Sequence, residues 1–311
     1  MGRASHRRTD RERLQWIEGQ PLYQRNYRRY RSPAGWPRWD RLLQLAAAVA
    51  EPSCLQTAAA SGDYAGVTAS QVMAYALRTE APARWLAPTL VAELTATTPP
   101  PVTTELLEQF PAVHLLLPAG ALVGDEGSSL VLLTVASDQA IWSGASGLSV
   151  AALAGTARSP FYAVRIGADG AHASTLPVAV PPGDERDEVL DTMERIRRVA
   201  LGALAVMAFQ PELVSGSSHR PQPAAFGASR SRQAPLPPTW IGRDLQPLRP
   251  DAPHQVACGT AVRTHWRRGH WHTVRHGPGH SCRRLQWFRP VLVGSSSTAP
   301  PAAGPHRRGF G

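Results

Sequence analysis

The 311-residue chain contains no lysine, so all 33 of its basic side chains are arginine. A GC-rich coding sequence explains that at least as well as function does. Cysteine is scarce: Cys54, Cys258 and Cys282 form an odd, sparse set that no disulfide framework would use, and reduced thiols are expected. No uninterrupted apolar run approaches the ~18 residues of a membrane-spanning helix, which excludes a transmembrane segment from the reading. The opening holds nine arginines in residues 1–31 and no apolar h-region, so it does not read as a secretory signal, and a cytoplasmic location is expected. There is also no P-loop, no GxGxxG after a strand, no HExxH, no CxxC and no GxSxG. Phosphate-cradling, zincin, thiol-redox and serine-hydrolase chemistry thus lose their usual signatures, and no cofactor is expected.

Charge is unevenly placed. Residues 1–31 carry nine Arg against three acids, residues 32–239 carry 13 Arg against 18 acids, and residues 240–311 carry 11 Arg against two acids, giving net +6, −5 and +9. A mildly acidic body between two basic ends suggests a polyanionic partner or solvated tails. Residues 1–32 mix arginine with Trp16, Tyr23, Tyr27 and Tyr30 and read as a disordered basic arm. Residues 213–239 are dominated by Pro and Ser and read as a linker. Residues 295–311 read as a disordered tail.

Between arm and linker, residues 33–212 read as one domain. Trp39, Leu42, Leu43, Ala46 and Val49 fall on one helical face, with Pro52 ending the run. Helices are expected over Val67–Leu77 and Ala83–Leu94, the latter before the TTPPP breaker at 97–101. The period then changes to two, with strands over Ala112–Leu117, Ser129–Ala136 and Phe161–Ile166, the last forming a hairpin with Ala171–Val180. Within this stretch His114 reads as a core histidine. After Pro181-Pro182-Gly183 comes the clearest helix, with acids Asp184 to Glu188 at its start and a stripe of Val189, Met193, Ile196, Ala200, Leu204 and Met207. The fold class is α+β: helices packed on a small, mainly antiparallel sheet, then a linker and a small basic module rich in β-hairpin.

That module, residues 240–294, holds the densest chemistry. His265, His270, His272, His276 and His280 fall within sixteen residues, beside Arg263, Arg267, Arg268, Arg275, Arg283, Arg284 and Arg289 and the tryptophans Trp266, Trp271 and Trp287. Two strands folded about Gly277-Pro278-Gly279 would put Trp266, Trp271, Leu285 and Trp287 in one layer and leave imidazoles and guanidiniums at the face and edges. Four readings compete. The plainest is a tryptophan-anchored hairpin with a solvated basic face. The second is nucleic-acid binding, in which arginines meet phosphates and aromatics stack on bases; RNA or single strands suit it better than duplex, because no recognition-helix pattern is present. The third is a metal site at His265, His270 and His272 with Cys282 or His280 as a fourth ligand, although His265 points the other way on a strand and neighbouring guanidiniums oppose a dication. The fourth is a metal-independent endoribonuclease with His265 and His270 as base and acid and Arg267 stabilising the phosphorane.

The order of Gln210-Pro211-Glu212-Leu213, Thr239-Trp240-Ile241-Gly242, HWRRGHWHTVRHGPG and RRLQWFRPVLVG resembles a type V-A anti-CRISPR family of mobile-element proteins. The resemblance implies a non-enzymatic protein that suppresses a CRISPR effector nuclease by lowering its production through contacts with polypeptide or RNA. The matching positions are Trp240, Gly242, His265, Trp266, Arg267, Gly269, His270, Trp271, Gly277 and Trp287. The non-glycine positions among them, with Arg268, His272, Arg275 and Arg284 added from the residue reading, make the candidate contact surface for RNA, another polyanion or a protein target.

Overall fold

A computed structural model describes residues 30–100, 106, 109–124, 127–141, 147–154, 161–167, 172–173, 184–215, 238–245, 265–267, 269–288 and 291–293. Most of the basic arm, most of the linker, the tail, Cys258, Arg263, Arg268 and Arg289 lie outside the described residues.

Three helices open the structure: α1 (Trp39–Ala50), α2 (Pro52–Ser61) and α3 (Tyr64–Arg78). Pro52 ends one helical run and begins the next, since at the first helical position its missing N–H costs nothing. Gly62, at φ +73°, closes α2, and Asp63 caps α3 by accepting the Gly66 N–H at 2.9 Å, which starts that helix earlier than its apolar pattern. The expected helix over Ala83–Leu94 is corrected. Ala83–Leu86 is a strand, β1, and helix α4 runs Pro88–Ala96. The physical reason is Pro88, which holds Ala87 extended and itself takes the first helical position.

Strands β2 (Ala112–Leu116), β3 (Leu130–Ser137), β4 (Gly147–Ala154), β5 (Phe161–Gly167) and β6 (His172–Ala173) follow, with a short helix α5 (Asp138–Ile141) after β3. The long helix α6 (Asp184–Phe209) leads to β7 (Val214–Ser215) and, beyond the linker, β8 (Trp240–Ile241). All eight strands form one mixed sheet in the order β6-β5-β4-β3-β2-β1-β8-β7. The pairings are antiparallel except where β1 meets β2 and β8. The expected hairpin around Gly167–Gly170 is present as Ile166 opposite His172; residues 174–180 lie outside the described residues.

Helices cover both faces of this sheet, so β3 and β4 are buried along their whole length and read as continuous apolar runs. One core joins α1 and α3 to Trp85, Ala112, Leu116, Val131 and Ala151. The other joins α4 and α6 to Leu86, Leu115, Leu133, Val150 and Val164, and it also contains Trp287 from the C-terminal segment. His114 is fully buried in the first core, within hydrogen-bond reach of the Thr134 hydroxyl at 2.9 Å and edge-on to Trp39. No helix among the described residues is long and apolar enough to cross a membrane.

Candidate functional site

The C-terminal segment forms β9 (His265–Arg267), β10 (His270–His276), β11 (Cys282–Phe288) and β12 (Val291–Val293). β10 and β11 make the expected antiparallel hairpin, with Trp271 opposite Trp287, Thr273 opposite Leu285 and Arg275 opposite Arg283. β9 and β12 pair separately, Trp266 opposite Leu292. Gly277, at φ +80°, and Gly279, at φ +62°, supply the left-handed backbone the turn requires.

Because side chains alternate across a strand, the hairpin has two unlike faces. The inner face is tryptophan at its base. Trp287 is only 2% exposed and stacks on Trp271 at 6.2 Å between centroids, and both pack against the core beneath α4 and α6. Gly269 lies so close to this pair that a Cβ there would stand 2.8 Å from Trp287 Nε1. The Thr97 hydroxyl, just past α4, donates to the Gly269 carbonyl at 3.0 Å. Arg198 of α6 donates to the Thr95 carbonyl at 3.2 Å, tying the long helix to the same corner. A groove of about 540 Å³ runs along this seam, between Ala96–Pro100 on one side and Arg267 of β9 with the hairpin residues Trp271 and Leu285 on the other.

The outer face is different in kind. His270 stacks on Phe288 at 5.4 Å, His272 meets the same ring edge-on at 6.0 Å, and Phe288 is 40% exposed. Farther along this face Arg284 donates to Gln286 Oε1 at 3.2 Å, and His276 stands opposite Cys282. From Arg275 through Arg284 every residue is exposed. Asp251 is the last acidic residue of the sequence, so the hairpin has no carboxylate side chain of its own. Among the described residues, none of its arginines forms an ion pair.

The structure therefore brings Trp271, Leu285 and Trp287 together on one face, and His270, His272 and Arg284 on the other. Trp240 is elsewhere. It sits in the main sheet, edge-on to Trp36 at 5.3 Å and under the Arg243 guanidinium, on the opposite side of the sheet from the hairpin tryptophans. His265 and Trp266 are placed on β9, but their side chains lie outside the described residues, as does Arg268. The metal triplet is not assembled. His270 and His272 share a face at the hairpin base, while Cys282 is at the tip, roughly 13 Å along the strand from the partner of His272 at ~3.3 Å per residue. No group of three His, Cys, Asp or Glu side chains suited to a metal occurs among the described residues.

Phe288 and Thr97 were not singled out by sequence reasoning. Phe288 was accessible to it, since the residue after a buried tryptophan on a strand must face the other way. Thr97 was not, because its contact with Gly269 spans 172 positions.

A family model described as AcrVA2-like, anti-CRISPR type V subtype A2 family, matches residues 84–295, more than half of the chain. The match begins in β1 and ends just past β12, taking in the sheet, α6 and the hairpin but not α1–α3. No curated protein matches the chain.

Proposed function

The chain belongs to that anti-CRISPR type V subtype A2 family, and from this premise we propose that it is a non-enzymatic cytoplasmic protein that suppresses a CRISPR effector nuclease by binding RNA through the outer face of its C-terminal hairpin. The observation that carries this reading is the contrast between adjacent residues. Trp287 is sunk in the core, while Phe288, His272 and Arg284 are presented on the other face of the hairpin that it anchors. A flat aromatic and imidazole group beside exposed guanidiniums, in a segment free of carboxylates, has the chemistry to stack unpaired bases and neutralise phosphates. In this reading residues 33–212, completed by β7 and β8, are the scaffold, and the part of residues 240–294 that follows β8 is the contact module.

The test combines interference by a type V-A effector in cells with RNA titration of the purified chain at two salt concentrations. Substituting His272, Arg284 and Phe288 together by Ala should abolish suppression and weaken RNA binding, with the unfolding midpoint unchanged. Affinity for RNA should fall steeply with salt. Suppression that survives the triple substitution, or binding indifferent to salt, overturns the proposal. Preferential capture of the effector polypeptide by this face would assign the surface to a protein target instead.

A further inference from the structure

Arg275 and Arg283 stand directly opposite each other on the inner face of the hairpin, beyond the point where the tryptophans anchor it. Both are exposed, and like charges in direct register across a strand pair destabilise it. On the other face at the same level, Arg284 and His276 are exposed too. The outer half of the hairpin is thus a two-stranded ribbon with arginine on both faces, a tight Gly277–Ser281 turn at its end, and no carboxylate of its own. A flat partner surface can cover only one face of such a ribbon.

We propose that the hairpin tip enters the major groove of an RNA helix opened by a bulge, with Arg275 and Arg283 meeting one phosphate wall and Arg284 and His276 the other, while the His270–Phe288–His272 platform stacks the unpaired base. This deepens the RNA-binding reading above and rests on it. Two strands lie ~4.8 Å apart, and a ribbon of that kind is slim enough for a groove as wide as the ~12 Å major groove of B-form DNA, so it needs an RNA groove widened toward that size. The major groove of uninterrupted A-form RNA is too narrow for side chains, so recognition concentrates at bulges and loops. A bulge supplies both features the ribbon matches: two backbones flanking the tip, and an unstacked base for the platform, which lies four residues, or ~13 Å, from Arg284 along β11.

The experiment measures fluorescence anisotropy of the full chain with five probes: a bulged RNA stem, the same stem fully paired, an oligouridylate of equal length, a B-form DNA duplex, and polyglutamate. Binding to the bulged stem should be at least about tenfold tighter than to any other probe. Arg275→Ala with Arg283→Ala, and separately Arg284→Ala with His276→Ala, should each weaken it about tenfold and lower the salt slope by roughly one per arginine. Arg275→Lys with Arg283→Lys keeps the charge and should retain the slope, which provides a decision even if an alanine variant folds poorly. Equal binding to the oligouridylate, the paired stem or the DNA duplex, or a loss confined to one face, overturns groove entry and leaves the RNA surface standing. Absence of RNA binding, or tighter binding to polyglutamate, overturns both.

Discussion

The Thr97 hydroxyl lies 2.7 Å from the Glu93 carbonyl and 3.0 Å from the Gly269 carbonyl, so one proton is shared between the end of α4 and the start of the hairpin. Thr97 is buried, and its contact is the polar clasp between the sheet domain and the C-terminal segment. Removing it leaves the buried Gly269 carbonyl with one partner fewer, at a cost of about 1–3 kcal/mol. Thr97→Val preserves shape and isolates that term. Urea unfolding of the variant should show a lower midpoint at unchanged slope, and amide exchange should accelerate in residues 270–288 before it does in β3 and β4. Uniform acceleration across the sheet would show that the hairpin is not held through this point.

Close approach makes Gly269 a second sensitive position. Its Cβ would meet the Trp287 indole, which is itself packed against the core and has little room to yield. Gly269→Ala should cost about 1–3 kcal/mol through forced displacement of the ring, visible as a lower Tm and an altered tryptophan emission. Unchanged Tm and emission would mean the indole moves freely, contrary to its burial.

Trp287 and Phe288 should separate stability from function. Trp287→Ala empties a site that is 2% exposed and should cost about 3–5 kcal/mol. Phe288→Ala removes a ring that faces solvent, so Tm should change little while RNA affinity falls. Comparison of the two by thermal unfolding and titration checks this directly; a Phe288 variant as unstable as the Trp287 variant would make the outer face structural.

Much of this arrangement was legible beforehand, for reasons that differ by element. The 184–209 helix carried its acids at the positive end of the dipole and a 3.6-residue stripe, so local and global signals agreed. The hairpin was readable because Gly277-Pro278-Gly279 sets its register, and register determines that Trp271 faces Trp287. The β1 strand reads as helix in the sequence because Trp85, Leu86, Leu90 and Leu94 fit helical spacing, although they belong to two elements joined at Pro88. The resemblance groups Trp240 with the hairpin residues, yet parallel pairing with Trp85 places it across the sheet. No periodicity within either segment records a pairing made over that distance.

Acid should destabilise the fold through His114 before it reaches the carboxylates. Burial pushes the His114 imidazole down from 6.5 to about 3, because its site beside Thr134 and Trp39 is cut off from water and penalises the charged form. Between those values the unfolded chain binds a proton that the folded chain refuses, so stability is fully present above pH 6.5 and is lost as pH falls toward 3. Glu194 adds a second loss at lower pH. Burial raises its pKa, but hydrogen bonds from Arg197 and Arg198 outweigh that and hold it at about 2, so its contribution fades as pH falls below 4.5. Thermal unfolding from pH 7.5 to 4.5 should therefore show Tm falling with acidity in the native chain. His114→Gln, which cannot titrate, should lower Tm at neutral pH and flatten that fall. Parallel Tm profiles for the two proteins over this range would show that His114 takes up its proton in the folded state, and that its site is open to water.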